Sequence, residues 1–135
     1  MLEIYSKNAV AQANGIVPLN TVALLKGNST IPLGAGTIQI NKCGIYLVLV
    51  SGDLVGSAAG DVTIQMEKNG VLQPQAIITA TAADATSQIP FSFSTLVQVS
   101  ENNNINCPCS QATTISFRNA DIEATYNIDV KVIRI

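Results

Sequence analysis

Apolar and polar residues alternate with a period of two along most of this chain. Val62, Ile64 and Met66 interleave with Thr63, Gln65 and Glu67, so an extended segment here has one apolar and one polar face, the mark of a half-buried β-strand. The segment runs into Lys68-Asn69-Gly70-Val71. Asn and Gly both tolerate positive φ, and the dipeptide predicts a tight hairpin in which Val71 onward pairs antiparallel with Val62–Lys68. Ile89 to Val99 keeps Phe91, Phe93, Thr95, Val97 and Val99 in phase, and Thr113–Phe117 and Tyr126–Ile135 repeat the pattern. The run Gly44-Ile45-Tyr46-Leu47-Val48-Leu49-Val50 is different, being apolar at every position after the glycine. It predicts a central strand covered on both faces. In the first forty residues, Gly15–Leu19, Val22–Leu25, Ile31–Leu33 and Thr37–Ile40 are short apolar pieces broken by Pro, Gly and Asn, as suits edge strands and connections. Thr79–Ala85 reads as a loop or strand end, and Asn102-Asn103-Asn104 as a polar turn.

Eight to ten short strands separated by turn signals predict an all-β fold: an antiparallel β-sandwich, specifically a jelly roll. Residues 1–14 read as an N-terminal extension or arm, and residues 15–135 as the jelly-roll domain. Candidate core or interface positions are Ile45, Leu47, Leu49, Val62, Ile64, Phe91, Phe93, Ile115 and Phe117.

Composition sharpens this picture. The chain is 47% hydrophobic and 12% charged, where soluble proteins average about 25% charged residues. A single sandwich of that composition leaves apolar patches on its surface, which predicts self-association. Net charge is −2, and the seven Lys and Arg residues are scattered without forming the basic stripe of a nucleic-acid binder. No run of about 20 apolar residues predicts a membrane-spanning helix. Met1–Lys7 has neither the basic nor the apolar region of a secretory signal, so the product is expected to stay in the cell that makes it or to leave by lysis.

Catalytic chemistry finds little purchase. With no histidine, Ser–His–Asp and Cys–His mechanisms are excluded, and the carboxylates Glu67, Asp121, Glu123 and Asp129 read as solvated strand or turn positions. Gly34-Ala35-Gly36 precedes a strand-like piece and makes a turn, not a phosphate cradle. Glu101–Asn104 and Ser51-Gly52-Asp53 lack the spacing of a calcium loop. Cys43, Cys107 and Cys109 are too few for a zinc site without histidine and read as unpaired thiols, with a cross-link between subunits as the alternative. The sequence therefore predicts no enzyme, no cofactor and no metal.

The order of signals resembles the tumour-necrosis-factor-like and complement-head jelly rolls. It comprises Gly44-Ile45-Tyr46-Leu47-Val48, the strand ending in Lys68-Asn69-Gly70, the long strand to Val97-Gln98-Val99, and the closing Tyr126-Asn127-Ile128-Asp129-Val130. A narrower resemblance, carried by Tyr5-Ser6-Lys7-Asn8-Ala9-Val10 leading to Gly15-Ile16-Val17-Pro18-Leu19, is to head-fibre and capsid-decoration proteins of phages of Gram-positive hosts. These resemblances imply a homotrimer with Tyr46, Phe117, Tyr126, Ile128 and Val130 at the three-fold interface. They also imply a virion protein made in the host cytoplasm, with the major capsid protein or other virion proteins as partners. The alternative is a receptor-binding adhesin that recognises a host-surface glycan from a virion tail or from a cell or spore surface. Absence of Trp removes the usual sugar-stacking platform.

Overall fold

The structure, a computed structural model, describes residues 1–100 and 113–135. The described residues form eleven strands and no helix: β1 (Leu2–Ala11), β2 (Gly15–Ile16), β3 (Thr21–Leu25), β4 (Thr30–Gly34), β5 (Thr37–Ile40), β6 (Gly44–Gly56), β7 (Gly60–Lys68), β8 (Val71–Ala82), β9 (Gln88–Val99), β10 (Thr113–Asn119) and β11 (Ala124–Arg134). Two antiparallel sheets result. One, here sheet I, has the order β3-β1-β11-β6-β9, and the other, sheet II, has the order β4-β5-β10-β7-β8, with β2 added to β10. The sheets face each other as a jelly-roll sandwich. The turn expected at Asn102-Asn103-Asn104 lies outside the described residues.

Local chemistry accounts for the elements. Asn69 and Gly70 take φ of 53° and 79° while Lys68 pairs with Val71, so the two-residue loop carries the positive φ that matches strand twist. Residues 1–14, expected as an extension or arm, instead supply β1, an internal strand between β3 and β11. Its alternation breaks at Lys7-Asn8, where the β1–β11 register shifts between Ser6 and Ala9 and Asn8 adopts a φ of 53°. This is a bulge, held by the Asn8 amide donating to Asn127 Oδ1 at 2.9 Å.

The core lies between the sheets. Leu2 and Ile4 of β1, Tyr46, Val48 and Val50 of β6, and Tyr126, Ile128, Val130 and Val132 of β11 point inward from sheet I; Ile38, Val62, Ile64, Met66, Ile115 and Phe117 meet them from sheet II. Phe93 of sheet I packs edge-on against Phe117 of sheet II with ring centroids 6.2 Å apart. One end of the core closes on a buried polar hub. Asn119 Nδ2 donates to the carbonyls of Ala11 (3.1 Å), Gln12 (3.2 Å) and Ile122 (2.8 Å), and Asn119 Oδ1 accepts from the Tyr126 hydroxyl at 2.8 Å. The free-thiol expectation fails at Cys43, which is disulfide-bonded; Cys107 and Cys109 lie outside the described residues.

A candidate self-association face

The five residues expected at a three-fold seam lie elsewhere. Tyr46, Phe117, Tyr126, Ile128 and Val130 are all within 2% of complete burial inside one copy, filling the space between its own two sheets. The reason is the pleat: in a strand, successive side chains point to opposite faces, and these five share the inward parity.

The opposite parity of sheet I is the informative surface. Leu47 pairs with Leu96 of β9 on one side and with Ile133 of β11 on the other, so three large aliphatic side chains form one row across the outer face. Leu96 is 58% exposed and Ile45, two residues before Leu47, is 45% exposed. Met1 and Ile133 line a shallow recess with Leu2, Glu3, Lys131 and Leu24, the last standing opposite Glu3 in the neighbouring row. Leu49, in the next row, sits beside a groove formed with Ser51, Ser92 and Ser94. The strand read as covered on both faces is therefore covered on one only, and Ile45, Leu47 and Leu49 are the side chains left outside.

Below the apolar row the same face turns polar. Lys131 bridges Glu3, at 3.1 Å, and Asp129, and hydrogen bonds to Asp129 first and Glu3 second hold its ammonium above the ordinary lysine value. Asn127 Nδ2 donates to Asp53 Oδ1 at 2.8 Å. Ser51-Gly52-Asp53, weighed in the sequence as an ion loop, is plain strand within β6. Among the described residues no three His, Cys, Asp or Glu side chains converge as a metal site, and no helix is long and apolar enough to cross a membrane. Glu67 forms an ion pair with Arg118, which also donates to the Asn14 carbonyl, tying β7, β10 and the β1–β2 turn together.

Leu96 and Ile133 were not singled out in the sequence. Their signal was present as apolar residues at positions where the strand's other parity was already apolar, Val97 and Val132.

Neither a family model nor a curated relative matches the sequence. Solved structures do match in shape. The PRD1 vertex protein P5 superposes with a TM-score of 0.58 at 13% identity, covering 99% of this chain and 95% of that one. Murine APRIL superposes with a TM-score of 0.65 at 13% identity, covering 96% of each chain, in a crystal structure at pH 5.0; in one at pH 8.5 the TM-score is 0.67 at 12% identity, covering 98% of this chain and 96% of that one. The shared feature is the jelly roll. At these identities the likeness speaks for the fold alone.

Proposed function

We propose that this chain is a non-enzymatic structural protein of a phage virion, working as a homotrimer that decorates the capsid or forms a head fibre. The carrying observation is the aliphatic row Leu96–Leu47–Ile133 on the outer face of sheet I. A free sheet face facing water alternates to polar residues; this one keeps large aliphatics where solvent should be, and a second copy of the chain would remove them from water. Likeness in fold to a viral vertex protein over nearly the whole chain supports the virion setting. Obligate interfaces bury more than about 2,000 Å² and are more apolar than the remaining surface, in keeping with a chain that is 47% hydrophobic.

Sedimentation and light scattering test the assembly: a mass three times the chain's 14.1 kDa is expected, and a stable monomer at micromolar concentration overturns the trimer. Leu47→Asp or Leu96→Asp should yield a folded monomer, because the charge lands on an outward position. Mass spectrometry of purified virions tests the setting. Hundreds of copies per particle fit decoration, a few fit a tail-borne adhesin, and absence from the particle defeats the virion reading.

A further inference from the structure

Each sheet ends in two strands with one neighbour apiece, β3 and β9 in sheet I and β4 and β8 in sheet II. Such strands offer unpaired N–H and C=O groups to other chains, and a proline or a charge in the strand blunts the offer. β4 carries Pro32, β8 carries Pro74 and β9 carries Pro90. β3, Thr21-Val22-Ala23-Leu24-Leu25, has neither proline nor charge, and all five of its residues are exposed. Its surroundings are equally uncharged: from Asn8 to Asn41 the sequence holds one charged residue, Lys26.

The hydrogen bonds show which groups of β3 face outward. The Met1 nitrogen donates to the Lys26 carbonyl and the Lys26 amide donates to the Met1 carbonyl, both at 2.9 Å, so these residues form a hydrogen-bonded pair. Bonded and non-bonded pairs alternate between antiparallel strands. Leu2–Leu25 is therefore a non-bonded pair, and the amide and carbonyl of Leu25 turn away from β1. Glu3–Leu24 follows as a bonded pair, after which the register shifts and Ala23 is the extra residue of a bulge. Ile4–Val22 is the next non-bonded pair, so Val22 also turns its backbone groups outward. The bulge thus sets the outward groups of Val22 and Leu25 three residues apart, where an uninterrupted strand presents them two apart.

An uninterrupted strand cannot match that spacing at both points, but a second β3 can. Run antiparallel, its Leu25 meets Val22 and its Val22 meets Leu25, and each pair exchanges two backbone hydrogen bonds. The same register sets Val22, 43% exposed, beside Leu25, 48% exposed, twice over as an apolar cross-strand pair. Lys26 falls opposite Thr21, away from its symmetry mate. We infer that β3 is a self-recognition edge through which two copies join their five-stranded sheets I into one continuous sheet. The contact is isologous and closes on a two-fold axis. It goes beyond the trimer reading and does not need it, since it uses the rim of sheet I and not its outer face; where the trimer forms, the same edge links one trimer to another.

Hydrogen exchange of the full chain over a concentration series tests the edge directly. The Val22 and Leu25 amides should exchange freely in dilute solution and about tenfold or more slower once copies pair, while the Leu24 amide, bonded to β1, is protected throughout. Sedimentation of Leu47→Asp, which removes the outer-face contact, should still show one copy becoming two, so the pairing and the trimer are read separately. Val22→Lys with Leu25→Lys sets like charges opposite each other at both pairs and should weaken pairing about tenfold or more with the β-spectrum unchanged. Mixing that variant with Val22→Glu, Leu25→Glu should restore it. Exchange at Val22 and Leu25 that ignores concentration, a Leu47→Asp chain that stays single, or pairing undiminished by the two lysines overturns the inference.

Discussion

Asn119 is a single side chain on which three stretches of backbone depend. Its amide nitrogen serves the carbonyls of Ala11, Gln12 and Ile122, and its oxygen receives the Tyr126 hydroxyl. Each buried group left without a partner costs about 1–3 kcal/mol, so Asn119→Ala should lower stability by about 3 kcal/mol or more in urea titration, whereas Tyr126→Phe should cost about 1 kcal/mol. Titration gives two further signatures. Burial, with a smaller contribution from the Asp121 charge, pushes the Tyr126 hydroxyl well above the ordinary phenol value of 10.0, and burial likewise raises Tyr46. Above pH 10 the unfolded chain releases these protons and the folded chain keeps them, so stability should decline as pH rises past 10, read as a falling urea midpoint that Tyr126→Phe makes shallower. Asp84 behaves oppositely. Hydrogen bonds from the Thr86 amide and hydroxyl and from Ser87 lower its carboxyl from 3.8 to about 2. The turn it holds is intact above pH 3.8 and should loosen as pH falls toward 2, visible in the Thr86 and Ser87 amide resonances.

At the scale of strands, legibility in the sequence depended on contrast between parities. β7 was readable face by face because Val62, Ile64 and Met66 alternate with Thr63, Gln65 and Glu67. The Asn69-Gly70 hairpin was readable because the turn demands positive φ. β6 was readable as a strand but not by face, since both parities from Ile45 to Val50 are apolar; the structure turns Tyr46, Val48 and Val50 inward. β1 was hidden by its bulge. Gly52 shows what local sequence conceals: it sits in β6 at a φ of 152°, and a Cβ there would lie 1.9 Å from the Asn127 carbonyl oxygen. Gly70 has a φ of 79° but open space around it. Gly70→Ala should therefore cost about 1–2 kcal/mol for backbone strain alone. Gly52→Ala must also push β11 away from β6, adding about 1–3 kcal/mol of overpacking, and the difference between the two variants in thermal melts measures the close approach of the strands.

For the whole molecule, the excess of apolar residues over charge was legible as a surface needing cover, but not its location, because any outward parity of any strand would have satisfied the composition. In the structure exposed aliphatics stand on both sheets, Ile45 and Leu96 on sheet I and Val71, Leu72 and Ile77 on sheet II, and on sheet I Leu96 falls in one row with Leu47 and Ile133. The distinction between the two parities is itself testable. Val48→Asp, aimed into the core, should prevent folding as judged by circular dichroism and tryptic digestion, while Leu47→Asp, one residue away, should leave the β-spectrum intact and change only the mass of the particle. Equal damage from both substitutions would mean that the two faces of β6 are not as different as their surroundings indicate.

The pairing of β1 with β11, in which Leu2 stands opposite Val132, sets the pace at which this protein comes into being. β11 lies far along the chain from β1, so the inner neighbour of β1 emerges from the ribosome long after β1 itself. Until then β1 has β3 alone as a partner, and the edge of β11's vacant place is an unpaired ladder next to apolar side chains. Closing so long a loop is entropically slow, and folds dominated by distant pairings take milliseconds to seconds to form. Refolding after dilution from urea should accordingly be slow for so small a chain, and yield should drop with protein concentration as exposed ladders find one another before they find β11.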